Sequence, residues 1–248
     1  MGQSLSVTKH NNCPDCLYME TAGNPKFRSS ETAARQVELY LTINFNEQWE
    51  ELPGGYVKFG LRGGELRLSL KRGVIPYQSR SLAGRLVLDI EKERQSQSSS
   101  SVQRHRQASV EASVKDKLEQ TAKISDMSKV ENISSQSNKF TVTSCQITTK
   151  GTPTDPAWVF EVQTDDPILK GLLSGERLAT MSLSGSTWEI KAVFEVLTLK
   201  DVIITEADGP WLRNASPEKR TSLELGLAKL FLKSKLRPYI SQMELRYG

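Results

Sequence analysis

The chain has 248 residues, with 33 Lys plus Arg against 29 Asp plus Glu and a formal net charge of +4. That length suits one large domain or two of roughly 100 residues each, and so mild a basic excess permits nucleic-acid or anionic-surface binding without arguing for it. Three cysteines make no even disulfide framework, and no secretory apolar core or 18-residue apolar span is visible, so a reducing, cytoplasmic setting without a membrane span is expected.

Residues 1–35 are rich in turn formers, namely Asn11-Asn12, Pro14, Gly23-Asn24-Pro25 and Ser29-Ser30, and read as an irregular N-terminal lead-in. The opening Met1-Gly2 with Ser6 fits the loose pattern for acylation of Gly2 but reads as a plain tail. Residues 36–92 read as a first antiparallel sheet. Val37, Leu39, Leu41, Ile43 and Phe45 alternate with polar neighbours in the period of a half-buried strand. Two alternating runs, Val57 to Leu61 and Leu66 to Leu70, flank Gly63-Gly64 and predict a β-hairpin over 56–71. Leu86, Leu88 and Ile90 predict another strand.

The stretch 93–138, with Gln95 to Ser101 and many Ser, Gln, Lys and Glu, offers too few apolar side chains to offset the entropy of ordering. It reads as a flexible linker in which Val110, Val114 and Leu118 allow a short helix. Residues 139–210 read as a second antiparallel sheet, with strands at Phe140 and Val142, at Trp158 to Val162, and at a hairpin turning on Gly185-Ser186. Gly60 to Leu66 and Gly171 to Arg177 share glycine, leucine and glutamate at matching offsets, which admits an internal duplication or mere chance.

Residues 211–248 read as a basic helix and tail. Ser216-Pro217-Glu218 is a helix start. Leu223, Leu227, Leu230 and Phe231 share one side and are expected to dock it, leaving Lys229, Lys233, Lys235 and Arg237 outside. Beyond Pro238, residues 240–247 suit a strand or a short helix.

Chemistry is sparsely signalled. Cys13-Pro14-Asp15-Cys16 has the spacing for two thiolates on one metal ion, but further ligands are scarce and plain thiols are expected. The two histidines, His10 and His105, fall in stretches that read as irregular, which argues against a His-based nucleophilic constellation. Asp165-Asp166 and Glu206 with Asp208 read as loop carboxylates, and no phosphate-cradling glycine motif occurs. Trp158 and Trp188 suit a core, whereas Trp211 with Arg213 suits an interface anchor.

The fold expected is mainly β: an antiparallel β-sandwich, or two packed antiparallel sheets, with a C-terminal amphipathic helix and a disordered central linker. The function expected is non-enzymatic and without a cofactor, a cytoplasmic binding or assembly module that recognises protein through Trp211, Arg213, Lys229, Lys233, Lys235 and Arg237 or through sheet edges. The alternative is a nucleic-acid-binding accessory subunit that adds Lys58, Arg62, Arg67 and Lys71 on the wet face of the first hairpin. Partner identity and oligomeric state are not legible.

Overall fold

The computed structural model describes residues 4–26, 35–53, 55–88, 143–163, 167–208 and 217–248. They belong to one compact unit assembled from both ends of the chain, 1–93 and 142–248, while the expected linker and its helix lie outside the described residues. In chain order the strands are β1 (Leu5–Asn11), β2 (Leu17–Lys26), β3 (Gln36–Phe45), β4 (Gln48–Leu52), β5 (Gly55–Leu61), β6 (Gly63–Lys71), β7 (Gly73–Val74), β8 (Gly84–Val87), β9 (Ser144–Gly151), β10 (Pro156–Val162), β11 (Gly171–Leu183), β12 (Trp188–Glu195), β13 (Val202–Asp208) and β14 (Ser241–Tyr247). A single long helix, α1 (Pro217–Leu236), accompanies them among the described residues.

Three antiparallel sheets result: seven strands in the order β1-β14-β12-β6-β10-β9-β8, four in the order β2-β3-β11-β7, and three in the order β13-β5-β4. The first two face each other. Phe45 of β3 meets Phe160 of β10 and Phe194 of β12 at ring-centroid distances of 5.8 and 5.7 Å. Around this aromatic centre the inward sets of β3 (Val37, Leu39, Leu41, Ile43) and β6 (Leu66, Leu68) are fully buried, as period-2 alternation on a one-sided sheet requires. Trp158 and Trp188 are buried in the same core.

Strands from the two halves interleave, so there is no separate sheet for each half: β6 from the first half sits between β10 and β12 from the second. The expected hairpin over 56–71 is replaced by a crossing between sheets, since β5 pairs with β4 and β13 whereas β6 pairs with β10 and β12. Gly63 and Gly64 serve close packing there. A Cβ on Gly64 would sit 2.4 Å from the Phe194 ring, and one on Gly63 would sit 2.7 Å from the Phe160 carbonyl oxygen. The expected hairpin on Gly185-Ser186 is also a crossing, because β11 pairs with β3 and β7 while β12 pairs with β14 and β6.

The lead-in expected over 1–35 holds two strands. Asn11 and Asn12 do end β1, by side-chain bonds from Asn11 Nδ2 to the Leu17 carbonyl (2.7 Å) and from Asn12 Nδ2 to the Tyr239 carbonyl (2.7 Å). Pro25 is accommodated because β2 is the edge of its sheet, where a missing donor leaves no ladder bond broken. The resemblance between 60–66 and 171–177 has no structural counterpart: the first segment spans the crossing from β5 to β6, and the second lies inside β11 and contains a register shift between Leu173 and Glu176. Residues 241–247 form strand, in the interior of the large sheet between β1 and β12.

Candidate functional site

The described part of α1 carries apolar residues on two opposite sides. Leu232 and Leu236, one turn apart, are buried in the core, whereas Leu230 is 62% exposed and Phe231 38% exposed. At about 100° per residue, Leu230 stands roughly 200° around the helix from Leu232. The docking leucines are therefore Leu232 and Leu236, and Leu230 and Phe231, expected against the sheet, are left outside. Lys235 stays exposed but forms an ion pair with Glu50 of β4, a buried carboxylate that accepts a further bond from Gln48 Nε2 at 3.4 Å.

The other basic candidates divide into two groups. Lys58 Nζ lies 2.7 Å from Glu206 and 3.8 Å from Glu47; Lys71 Nζ lies 2.8 Å from Glu189; Arg67 contacts Glu65 at 2.8 Å and Glu195 at 3.3 Å. Lys58 is also in a different sheet from Arg67 and Lys71, so the four basic residues expected on one hairpin face are not brought together. By contrast Lys229, Lys233 and Arg237 have no carboxylate within ion-pair distance among the described residues, and the same holds for Arg62. Trp211 and Arg213 lie outside the described residues, as do Asp165 and Asp166.

Ion pairs run across part of the outer face of the large sheet. Glu65, fully buried, accepts from Arg67 Nη2 at 2.8 Å and meets Lys150 Nζ at 2.6 Å in an ion pair without hydrogen-bond alignment. Arg67 passes the chain on to Glu195, and Arg246 and Lys71 bracket Glu189 in the same way. Cross-strand pairs of opposite sign stabilise a solvated sheet face, and they occupy Arg67 and Lys71, two of the basic residues expected to bind phosphate.

A second accessible feature, which sequence reasoning missed, is the open edge at β1. Ser4 N donates to Gly248 O (3.2 Å) and Asn12 N to Ile240 O (2.8 Å), both in register with the ladder. Even-numbered residues of β1 therefore bond to β14, and Leu5, Val7, Lys9 and Asn11 turn their backbone groups to the open side. Leu5 and Val7 are 46% and 44% exposed, while Lys9 is drawn to Glu20 at 2.9 Å.

The cysteine pair is sealed. Cys13, Cys16 and Cys145 are buried free thiols; burial pushes the Cys13 thiol up to about 11 and Cys145 to about 12, and raises Cys16 well above its ordinary value. Thiols held protonated are poor nucleophiles and poor ligands. Cys13 and Cys16 instead occupy a loop fixed by Gln48 Oε1, which accepts from the Asp15 and Cys16 amides at 3.2 Å each. Among the described residues no group of three His, Cys, Asp or Glu is placed to hold a metal ion, and no helix is long and apolar enough to cross a membrane.

Neither a protein-family model nor a curated protein matches the sequence. The reading of this surface rests on its own chemistry.

Proposed function

We propose that the protein is a non-enzymatic, cytoplasmic binding or assembly module that recognises another protein through the outward side of α1. The observation that carries the reading is the exposure of Leu230 and Phe231 on a helix whose inward side is already occupied by Leu232 and Leu236. Neighbouring large apolar groups left in water suit a surface that another macromolecule covers, and Lys229 and Lys233 beside them, without a carboxylate partner among the described residues, supply a polar rim. Buried, unpaired thiols suit the reducing compartment.

The nucleic-acid alternative draws less support, because Lys58, Arg67 and Lys71 are already matched to carboxylates and phosphate binding needs cations that are free to displace counterions. Affinity capture with the full chain tests the choice, comparing wild type with the double variant Leu230→Ser/Phe231→Ser after nuclease treatment and a high-salt wash. The expected result is a protein retained by wild type and lost from the variant. Recovery of nucleic acid alone, released by salt and unaffected by the variant, would overturn the reading.

A further inference from the structure

We infer that Tyr56, on the outer face of the three-stranded sheet, receives an arginine side chain of a protein partner between Glu51 and Asp208. This surface belongs to strands and not to α1, so the inference goes beyond the reading above and stands whether or not α1 binds a partner.

Register places the three side chains in one row. Tyr56 of β5 is paired with Glu51 of β4 on one side and with Asp208 of β13 on the other, and directly opposed residues of an antiparallel ladder point to the same face. That face is outward. Tyr56 is 50% exposed and both carboxylates are exposed, whereas Glu50, Leu52 and Val57, which alternate with them on β4 and β5, are buried. No cation lies within ion-pair distance of Glu51 or Asp208 among the described residues. An aromatic ring is thus left in water between two unmatched carboxylates.

The rest of the surface shows what such a ring takes. Four Tyr or Trp rings are exposed among the described residues, and three carry a cation of the chain: Tyr18 has Lys9 at 5.4 Å, Trp49 has Lys58 at 5.9 Å and Tyr77 has Arg80 at 4.5 Å. Tyr56 is the fourth, and no described residue supplies its cation. A cation over the ring is attracted by the ring quadrupole, and here it would also gain charge-assisted hydrogen bonds to the flanking carboxylates. Lys58, the next outward residue of β5, does not oppose it, because Glu206 at 2.7 Å and Glu47 at 3.8 Å hold its charge. Glu161 lacks a cation among the described residues too, but its cross-strand neighbours are Gln146 and Gly63 and not a ring.

The spacing selects arginine over lysine. Glu51 and Asp208 stand on strands two spacings apart, about 10 Å. A planar guanidinium lies on a ring and presents N–H groups to both sides, whereas an ammonium is a point charge that serves one side at a time. Trp49, 48% exposed one row away, extends the apolar contact for a chain segment carrying the arginine, which a free amino acid would not reach. The carboxylates repel a phosphate backbone, and among the described residues no third ligand stands with them to hold a metal ion.

The test follows the backbone amide resonances of the isotope-labelled full chain while end-blocked pentapeptides are added: Gly-Ser-Arg-Ser-Gly and its lysine and citrulline forms. The arginine peptide is expected to give saturable shifts centred on the paired segments of β4, β5 and β13, binding at least about threefold more tightly than the lysine form. The citrulline form, similar in shape but uncharged, is expected to give none. Tyr56→Ala and Glu51→Gln/Asp208→Asn are each expected to weaken the arginine peptide by about tenfold without lowering the melting temperature. Equal binding of the lysine peptide overturns the inference, as does weakening in the carboxylate variant but not in Tyr56→Ala, because the face then attracts cations by charge alone. Binding that emerges only in Arg213→Ser also overturns it, since the site then belongs to the chain's own arginine. So does a concentration-dependent self-association lost in Tyr56→Ala, which would make a second copy the occupant.

Discussion

Single residues hold this fold together where segments distant in the sequence meet. Gly64 lets the Phe194 ring lie against the backbone of β6, at the centre of the Phe45, Phe160 and Phe194 cluster. Gly64→Ala is expected to cost about 1–3 kcal/mol through overpacking, read as a lowered denaturation midpoint; an unchanged midpoint would mean that the ring moves aside freely. Glu47 works by charge. Its Oε1 accepts from the Thr205 hydroxyl at 2.6 Å and its Oε2 from Lys170 at 3.0 Å, so one carboxylate joins the end of β3 to β13 and to the segment before β11. Burial pushes its pKa up, but the bonds from Thr205 and Lys170 and the nearby charges outweigh this and hold it below the ordinary 4.5. A carboxylate with a depressed folded-state pKa adds stability above its unfolded pKa and loses it as pH falls through the folded value. Melting temperature should therefore fall on acidification below pH 4.5, more steeply in wild type than in Glu47→Gln. Parallel acid limbs would remove Glu47 from the account. Sequence marked Gly63-Gly64 as special but for the wrong reason, since a glycine pair between alternating runs signals a turn and a close packing contact equally well.

Among the elements, those with strong local periodicity were legible. The apolar alternation of β3, the run of β10 and the helix start at Pro217 all emerge where the pattern puts them. Short strands such as β4 escaped because two of its three buried positions, Gln48 and Glu50, are polar and only Leu52 is apolar. For α1 the element was legible and its orientation was not, because leucines on both sides of a helix do not say which side a sheet will cover. The structure predicts a clear asymmetry. Leu232→Ala and Leu236→Ala should each cost about 2–5 kcal/mol as buried truncations, whereas Leu230→Ala should stay within about 0.5 kcal/mol. Chemical denaturation of the three variants checks it, and equal losses would mean that Leu230 is also packed.

At the level of the whole molecule, the pairing of strands is what the sequence concealed. Alternation reports which residues face a core, but not which strand is the neighbour, and here consecutive strands repeatedly enter different sheets. Both glycine-marked turns thus became crossings. The interleaving also predicts that the described unit unfolds as one. Leu245, buried in β14 between β1 and β12, packs in the same core as Trp158 and Trp188. Burying a carboxylate there costs several kcal/mol, comparable to the stability of a typical domain. Leu245→Asp is therefore expected to abolish native tryptophan fluorescence and near-ultraviolet circular dichroism together. Loss of only one segment's signal would indicate separable halves.

The antiparallel ladder joining Leu5 to Tyr247 and Asn11 to Ser241 has a consequence for synthesis. β1 is made before the other described strands, yet its one sheet neighbour among the described residues is the strand made last of them. While the rest of the chain is translated, Leu5 and Val7 wait without a ladder, and closure of the longest-range pair comes after the intervening strands have been made. Loop-closure entropy makes such pairing slow, and an unpaired strand offers its backbone to other chains in the meantime. Pairing of β1 is therefore expected to be among the last steps of folding.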